Sequence, residues 1–171
     1  MKTIQKILMF LLLLLLGGCG AIVVEVGGGL FSGYDKLSKI QQKRFIKVEH
    51  HQSLSAGDKS IYLISGATLN TMANHHNATL IYFWSPNCTS KVCYSLSSIK
   101  NYCVEKNFNF ILIAEYINLE RFEEAFDAGI TIYMPNFLNY GIDYCNRYMR
   151  VFKKELLQQK YDKITNLIGI C

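Results

Sequence analysis

The sequence lacks several features that would place its function at once. It has no internal repeat and no low-complexity body, which excludes a repeat array and leaves, at 171 residues, a single domain. Half of the residues are apolar, enough for a real core. No stripe of Arg and Lys is present. The formal net charge is +5, and without Lys2 and Lys6, which lie in a segment expected to be removed, 16 basic residues face 13 acidic ones. That balance is too mild to point to nucleic acid, and KKELLQQK near the end reads as the solvated face of a helix. Neither His-x3-His nor Cys-x2-Cys spacing occurs, and adjacent histidines (His50 and His51, His75 and His76) do not converge on one ion, so no metal site is expected. Proline is scarce: Pro86 and Pro135 are the only two.

What is present begins at the N-terminus. MKTIQK is a short basic start, Ile7–Leu16 is an unbroken apolar run, and LGGC follows. This is the layout of a secretory signal. Its end resembles a bacterial lipobox, a Leu and two small residues before a Cys. The resemblance implies cleavage before Cys19 and a diacylglycerol on its sulfur. Gly20, in place of an Asp, favours the outer membrane. An uncleaved anchor is the competing reading, since residues 7–24 carry no charge and a span needs roughly 20 apolar residues. Both readings tether the folded part to a membrane outside the cytoplasm. The segments expected are a signal peptide over residues 1–18, a Gly-rich linker over 19–34, a polar N-terminal extension over 35–59 and a domain over 60–171. Within the extension, Leu37, Ile40 and Phe45 fall at helical spacing and predict a short helix that packs on the domain or lies at the membrane surface.

From Ser60 onward, strands and helices alternate. SIYLIS (60–65) reads as a strand and Ala67–Asn74 as a short helix. ATLIYFW (78–84) is a continuous apolar run of the kind found in the middle of a sheet. Val92, Leu96, Ile99 and Cys103 share one face of a helix expected over 89–105. FNFILIAEYI (108–117) is the next strand. Asn118 is a plausible N-cap for a helix carrying Leu119, Phe122 and Phe126, and Gly129 ends it. TIYMPNFL (131–138) is a strand, and a last helix spans about 143–158. The order predicts an α/β domain with a mainly parallel sheet. Right-handed crossovers then put the start of the 89–105 helix at the carboxyl edge of the ATLIYFW strand, where open α/β sheets build their sites.

That edge carries YFWSPNCTSKVC, with four residues between Cys88 and Cys93. In a regular helix five residues rise about 7.5 Å and turn about 500°, which separates the two side chains. Their Cα atoms would then exceed the ~7 Å limit for a disulfide. A bridge requires Cys88 to lie in the loop before the helix.

The run from Ser60 to about Leu138 resembles the thioredoxin-like fold, a three-layer α/β/α arrangement, and in particular the membrane-tethered thioredoxin-like lipoproteins of bacteria. In that family an apolar strand ends in Phe-Trp and x-x-x-Cys-x-x-Cys opens the helix. Phe83, Trp84 and Cys88 match, while Lys91 stands where the second cysteine belongs. Pro135 lies where the family has a cis-proline facing the active-site cysteine; an ordinary edge-strand or turn proline is the alternative. The resemblance implies a thiol–disulfide oxidoreductase without a cofactor. Cys88, favoured as a thiolate at a helix start, would attack a disulfide of an envelope protein. Cys93 would resolve the mixed disulfide, and Trp84, Met134 and Pro135 would border the substrate groove. After Pro135 there is room for at most one further short strand.

Two other readings stay open. One is a thioredoxin fold kept as a binding or structural scaffold. The other rests on a resemblance to peroxiredoxins, whose Pro-x-x-x-Thr/Ser-x-x-Cys is matched by Pro86, Ser90 and Cys93. It makes Cys93 the peroxide-attacking thiol, with Arg121, Arg147 and Arg150 as candidates for the activating arginine. Of the other cysteines, Cys103 is expected as a buried thiol. Cys145 and Cys171 are candidates for a disulfide that pins the tail. If Cys19 is acylated, five thiols remain, so at least one is unpaired.

Overall fold

A computed structural model describes residues 31–48, 59–76, 78–88 and 93–158. Cys19, the signal and lipobox segment, His50, His51, Ser90, Val92 and Cys171 lie outside them. Among the described residues no helix is long and apolar enough to cross a membrane.

The described chain runs α1 (Lys39–Gln42), β1 (Phe45–Lys47), β2 (Ile61–Ile64), α2 (Gly66–Asn74), β3 (Thr79–Trp84), α3 (Leu96–Glu105), β4 (Asn109–Ala114), α4 (Leu119–Asp127), β5 (Ile132–Pro135), α5 (Phe137–Tyr140) and α6 (Cys145–Gln158). The five strands form one sheet in the order β1-β2-β5-β4-β3, and every pairing is parallel. Helices cover both faces, so the expected α/β class and three-layer α/β/α architecture are observed. Successive side chains of a strand point to opposite faces. Phe83 meets Phe152 of α6, and its neighbour Trp84 meets Phe122 of α4. One layer is therefore α2 with α6, and the other α3 with α4.

Burial explains the sequence pattern. All residues of β2, β3 and β5 are buried, which is why they read as continuous apolar runs instead of alternating ones. Leu96, Ile99 and Cys103 are buried on α3, and Leu80, Tyr82, Ile111 and Ile113 in the sheet, as the periodicity predicts. Asn118 caps α4 by accepting from the Arg121 N–H, and Gly129 follows it in the left-handed region at φ +63°.

Several expectations are corrected. ATLIYFW is not central: β3 pairs with β4 alone among the described strands. Layers on both faces bury it as fully as a middle strand. In the expected extension the short helix is present but covers only Lys39–Gln42, without Leu37 or Phe45. Ser38 caps the short α1 and Ile40 is 80% exposed, while Phe45–Lys47 adds β1 beside β2. The end of the expected linker is also fastened down: the Ser32 N–H donates to the Asp143 carbonyl, and the Ile117 N–H to that of Ser32. After Pro135 comes α5 and no strand lies between it and α6, which agrees with the room expected for at most one short strand. Finally α3 begins at Leu96, capped by Ser95, several residues later than the expected start.

Candidate functional site

The late start of α3 creates the site. β3 ends at Trp84 and α3 opens at Leu96, and the described residues between them, 85–88 and 93–95, belong to neither strand nor helix at the carboxyl edge of the sheet. The first of these segments is a turn in which the Cys88 N–H donates to the Ser85 carbonyl at 2.9 Å, with Pro86 at the second position, where its fixed φ is already suited. Cys88 and Cys93 are disulfide-bonded, with Cα atoms 6.3 Å apart. The approach that a regular helix forbids is allowed because neither cysteine is in one. Both are partly exposed.

Other elements hold the turn. Tyr116 accepts at its hydroxyl from the Asn87 N–H at 2.9 Å and from Ser85 Oγ at 3.2 Å. Asn118 Nδ2 donates to Asn87 Oδ1 at 2.6 Å, while its Oδ1 caps α4. Arg121 Nε donates to the Pro86 carbonyl at 3.1 Å, and its other end pairs with Glu124. The loop is thus bolted to the N-terminal turn of α4. Sequence reasoning missed this shell. Asn118 was legible as a cap, but the second bond from its amide was not, because its partner lies 31 residues away.

The three expected groove residues are all buried. Trp84 is 6% exposed and packs on Phe122, and Met134 is wholly buried. Pro135 is buried at the end of β5, paired with Ile64 of β2. The Met134–Pro135 bond is trans, since no cis peptide occurs among the described residues. β4 also stands between β3 and β5, so Pro135 is two strands from the strand that leads to Cys88. The Phe-Trp and proline positions are spent on packing. The aromatic that solvent does reach is Tyr94, next to Cys93 and 73% exposed.

The helix start expected at Cys88 lies further along the chain. Leu96 opens α3, so Cys88 is not at a helix N-terminus, and Cys93 is the nearer of the two to it. The remaining described thiols are poor nucleophiles. Cys103 is buried on α3, and burial pushes its pKa up. Cys145 is a buried free thiol whose Sγ donates to the Glu115 carbonyl at 3.2 Å; Cys171, its expected partner, lies outside the described residues. Burial raises its pKa too, against a smaller lowering by the Tyr148 hydroxyl. Among the described residues no three His, Cys, Asp or Glu side chains converge as metal ligands would. His75 and His76 are exposed.

No family model, no curated protein and no solved structure matches the chain.

Proposed function

We propose that the chain is a thioredoxin-like lipoprotein of the bacterial cell envelope, tethered through a lipid on Cys19, and that its Cys88–Cys93 pair exchanges with disulfides of envelope proteins. The observation that carries this reading is the bridge itself: a partly exposed disulfide in the loop at the carboxyl edge of a parallel sheet, held by side chains of a neighbouring turn. In the reduced form, one thiolate attacks a sulfur of the substrate disulfide. A mixed disulfide forms and the other substrate sulfur leaves as a thiolate. The second protein thiolate then attacks the first cysteine's sulfur, closes the bridge and releases the remaining substrate thiolate. Two electrons pass to the substrate, and the reverse sequence oxidises a dithiol. Cys88 is taken as the attacker and Cys93 as the resolving thiol. Tyr94 takes the bordering role that the resemblance gives to Trp84.

A second reading, a scaffold whose bridge only closes the loop, draws on the start of α3 at Leu96, which leaves Cys88 without a helix dipole. The peroxidase reading draws on Arg121, placed against Pro86. One experiment separates the three. In membranes quenched with acid, Cys93→Ser is expected to accumulate a mixed disulfide through Cys88, and Cys88→Ser none. Trapping by neither variant overturns exchange in favour of the scaffold. Peroxide consumption lost only in Cys93→Ser overturns it in favour of the peroxidase.

A further inference from the structure

A second feature of the same sheet edge owes nothing to the disulfide. A cavity of about 700 Å³ lies between α6 and the residue that follows β4, Glu115. That volume is within the usual range of small-ligand sites. Arg150, Lys153, Lys154 and Leu157 line it, and 150, 153, 154 and 157 repeat at the spacing of one helix face. Met149 completes an apolar wall.

Among the described residues the charge of this cavity is only partly compensated. The ion pairs of the described residues join Arg44 and Lys59 to Glu123, Lys106 to Glu105 and Arg121 to Glu124, and none uses the three cations of α6. The nearest acid in sequence, Glu155, is engaged elsewhere: its Oε2 accepts from the Gly66 N–H at 2.9 Å and from the Tyr140 hydroxyl at 2.6 Å. Among the described lining residues only Glu115 opposes the cations. Burial raises the pKa of its carboxyl, and Lys153 acts the other way. Lys153 also lies 4.6 Å over the Phe83 ring, so its position is fixed by packing as well as charge. Three cations against one carboxyl leave room for a head group of one or two negative charges.

We propose that this cavity binds an anionic amphiphile, with a phosphate or carboxylate head held by Arg150 and Lys154 and an apolar body against Met149 and Leu157. Unpaired cations beside an exposed apolar side chain, Leu157, suit a ligand with both characters. The same chemistry is offered by a free alkyl phosphate and by the head-group region of an anionic lipid.

The test uses the full chain in nanodiscs of zwitterionic lipid, with amine labelling of Lys153 and Lys154 as the readout and exposed Lys36 as the internal reference. Octyl phosphate is expected to protect both lysines saturably and to leave Lys36 unchanged. Inorganic phosphate, lacking the apolar body, is expected to protect only at much higher concentration. Arg150→Gln is expected to weaken protection about tenfold, the loss of one charge-assisted contact. Arg150→Lys is expected to retain most of it, and Glu115→Gln to tighten it by removing the one opposing charge. Arg150 is exposed, so its replacement leaves the core intact. Phosphatidylglycerol built into the disc separates the two sources: protection by it marks a membrane head group, and protection by octyl phosphate alone a free amphiphile. Absence of saturable protection by either, equal protection at Lys36, equal potency of inorganic phosphate, or an unchanged Arg150→Gln variant overturns the proposal.

Discussion

Two strand-to-helix connections leave the same edge of the sheet and are built in opposite ways. Between β2 and α2 there is one residue, Ser65, whose hydroxyl accepts from the Thr68 N–H and caps the helix. Between β3 and α3 the chain takes residues 85–95 and a disulfide. The first connection is fixed by packing: α2 is pressed on α6, Gly66 lies under the Phe152 carbonyl, and Asn70 donates to the Leu156 carbonyl at 3.1 Å. The second is fixed by a covalent bridge with hydrogen bonds to Tyr116, Asn118 and Arg121. A connection held by packing is inert to redox chemistry, whereas one held by a bridge is open to it. The difference is why the proposed exchange is assigned to the second connection.

The largest effect expected is at the short connection. A Cβ at position 66 would fall inside van der Waals contact of the Phe152 carbonyl oxygen and 2.6 Å from the Leu156 amide nitrogen. Both are backbone atoms, so a helix must move. Gly66→Ala is expected to destabilise by about 3 kcal/mol or more, at or above the upper end of overpacking costs. Equilibrium denaturation checks this, and a change under about 1 kcal/mol would mean that α2 and α6 are not in close contact.

The long connection should respond less. Removing the bridge with Cys88→Ser and Cys93→Ser together is expected to cost about 2 kcal/mol, the entropy of closing a loop this short. The Gly66→Ala loss should exceed it in the same denaturation series. A double variant that is the less stable of the two would reverse the comparison and make the bridge the main support of the fold.

A smaller effect belongs to Glu115, in the turn after β4. Burial raises its pKa above the unfolded value, so the folded state holds its proton to higher pH. A raised carboxyl contributes stability that is fully present below the unfolded pKa and is lost as pH rises through the folded one. Glu115→Gln should therefore be the more stable protein at neutral pH, and its advantage should shrink as pH falls towards about 4. An advantage that grows on acidification would contradict the assignment. The test is a pair of melting curves across pH.

Much of this comparison was legible in the sequence. The period of the apolar residues located β2 to β5, the buried face of α3 and the cap of α4, because each element buries its own pattern against a layer. What escaped depends on distant partners. β1 is three residues long and owes its strand state to pairing with β2. The position of β3 at the edge is invisible in its composition, since helices bury an edge strand on both faces as they would a central one. The start of α3 was ambiguous because Val92 extends the apolar spacing, while Ser95 stops the helix by accepting from the Ser98 N–H. With the helix opening there, Cys88 lies before it, which is the condition for a bridge to Cys93. No local signal announces the pairing of β5 with β2 that takes in Pro135.

The most direct test of the exchange reading is the reduction potential of the Cys88–Cys93 pair in the full chain, measured by equilibration with glutathione or dithiothreitol and alkylation of the freed thiols. An exchange centre is predicted to lie in the range of thiol–disulfide oxidoreductases, about −270 to −120 mV. Both cysteines should be alkylated together while the fold persists. A potential below about −300 mV, or thiols that become accessible only on unfolding, would show a structural bridge and contradict the account.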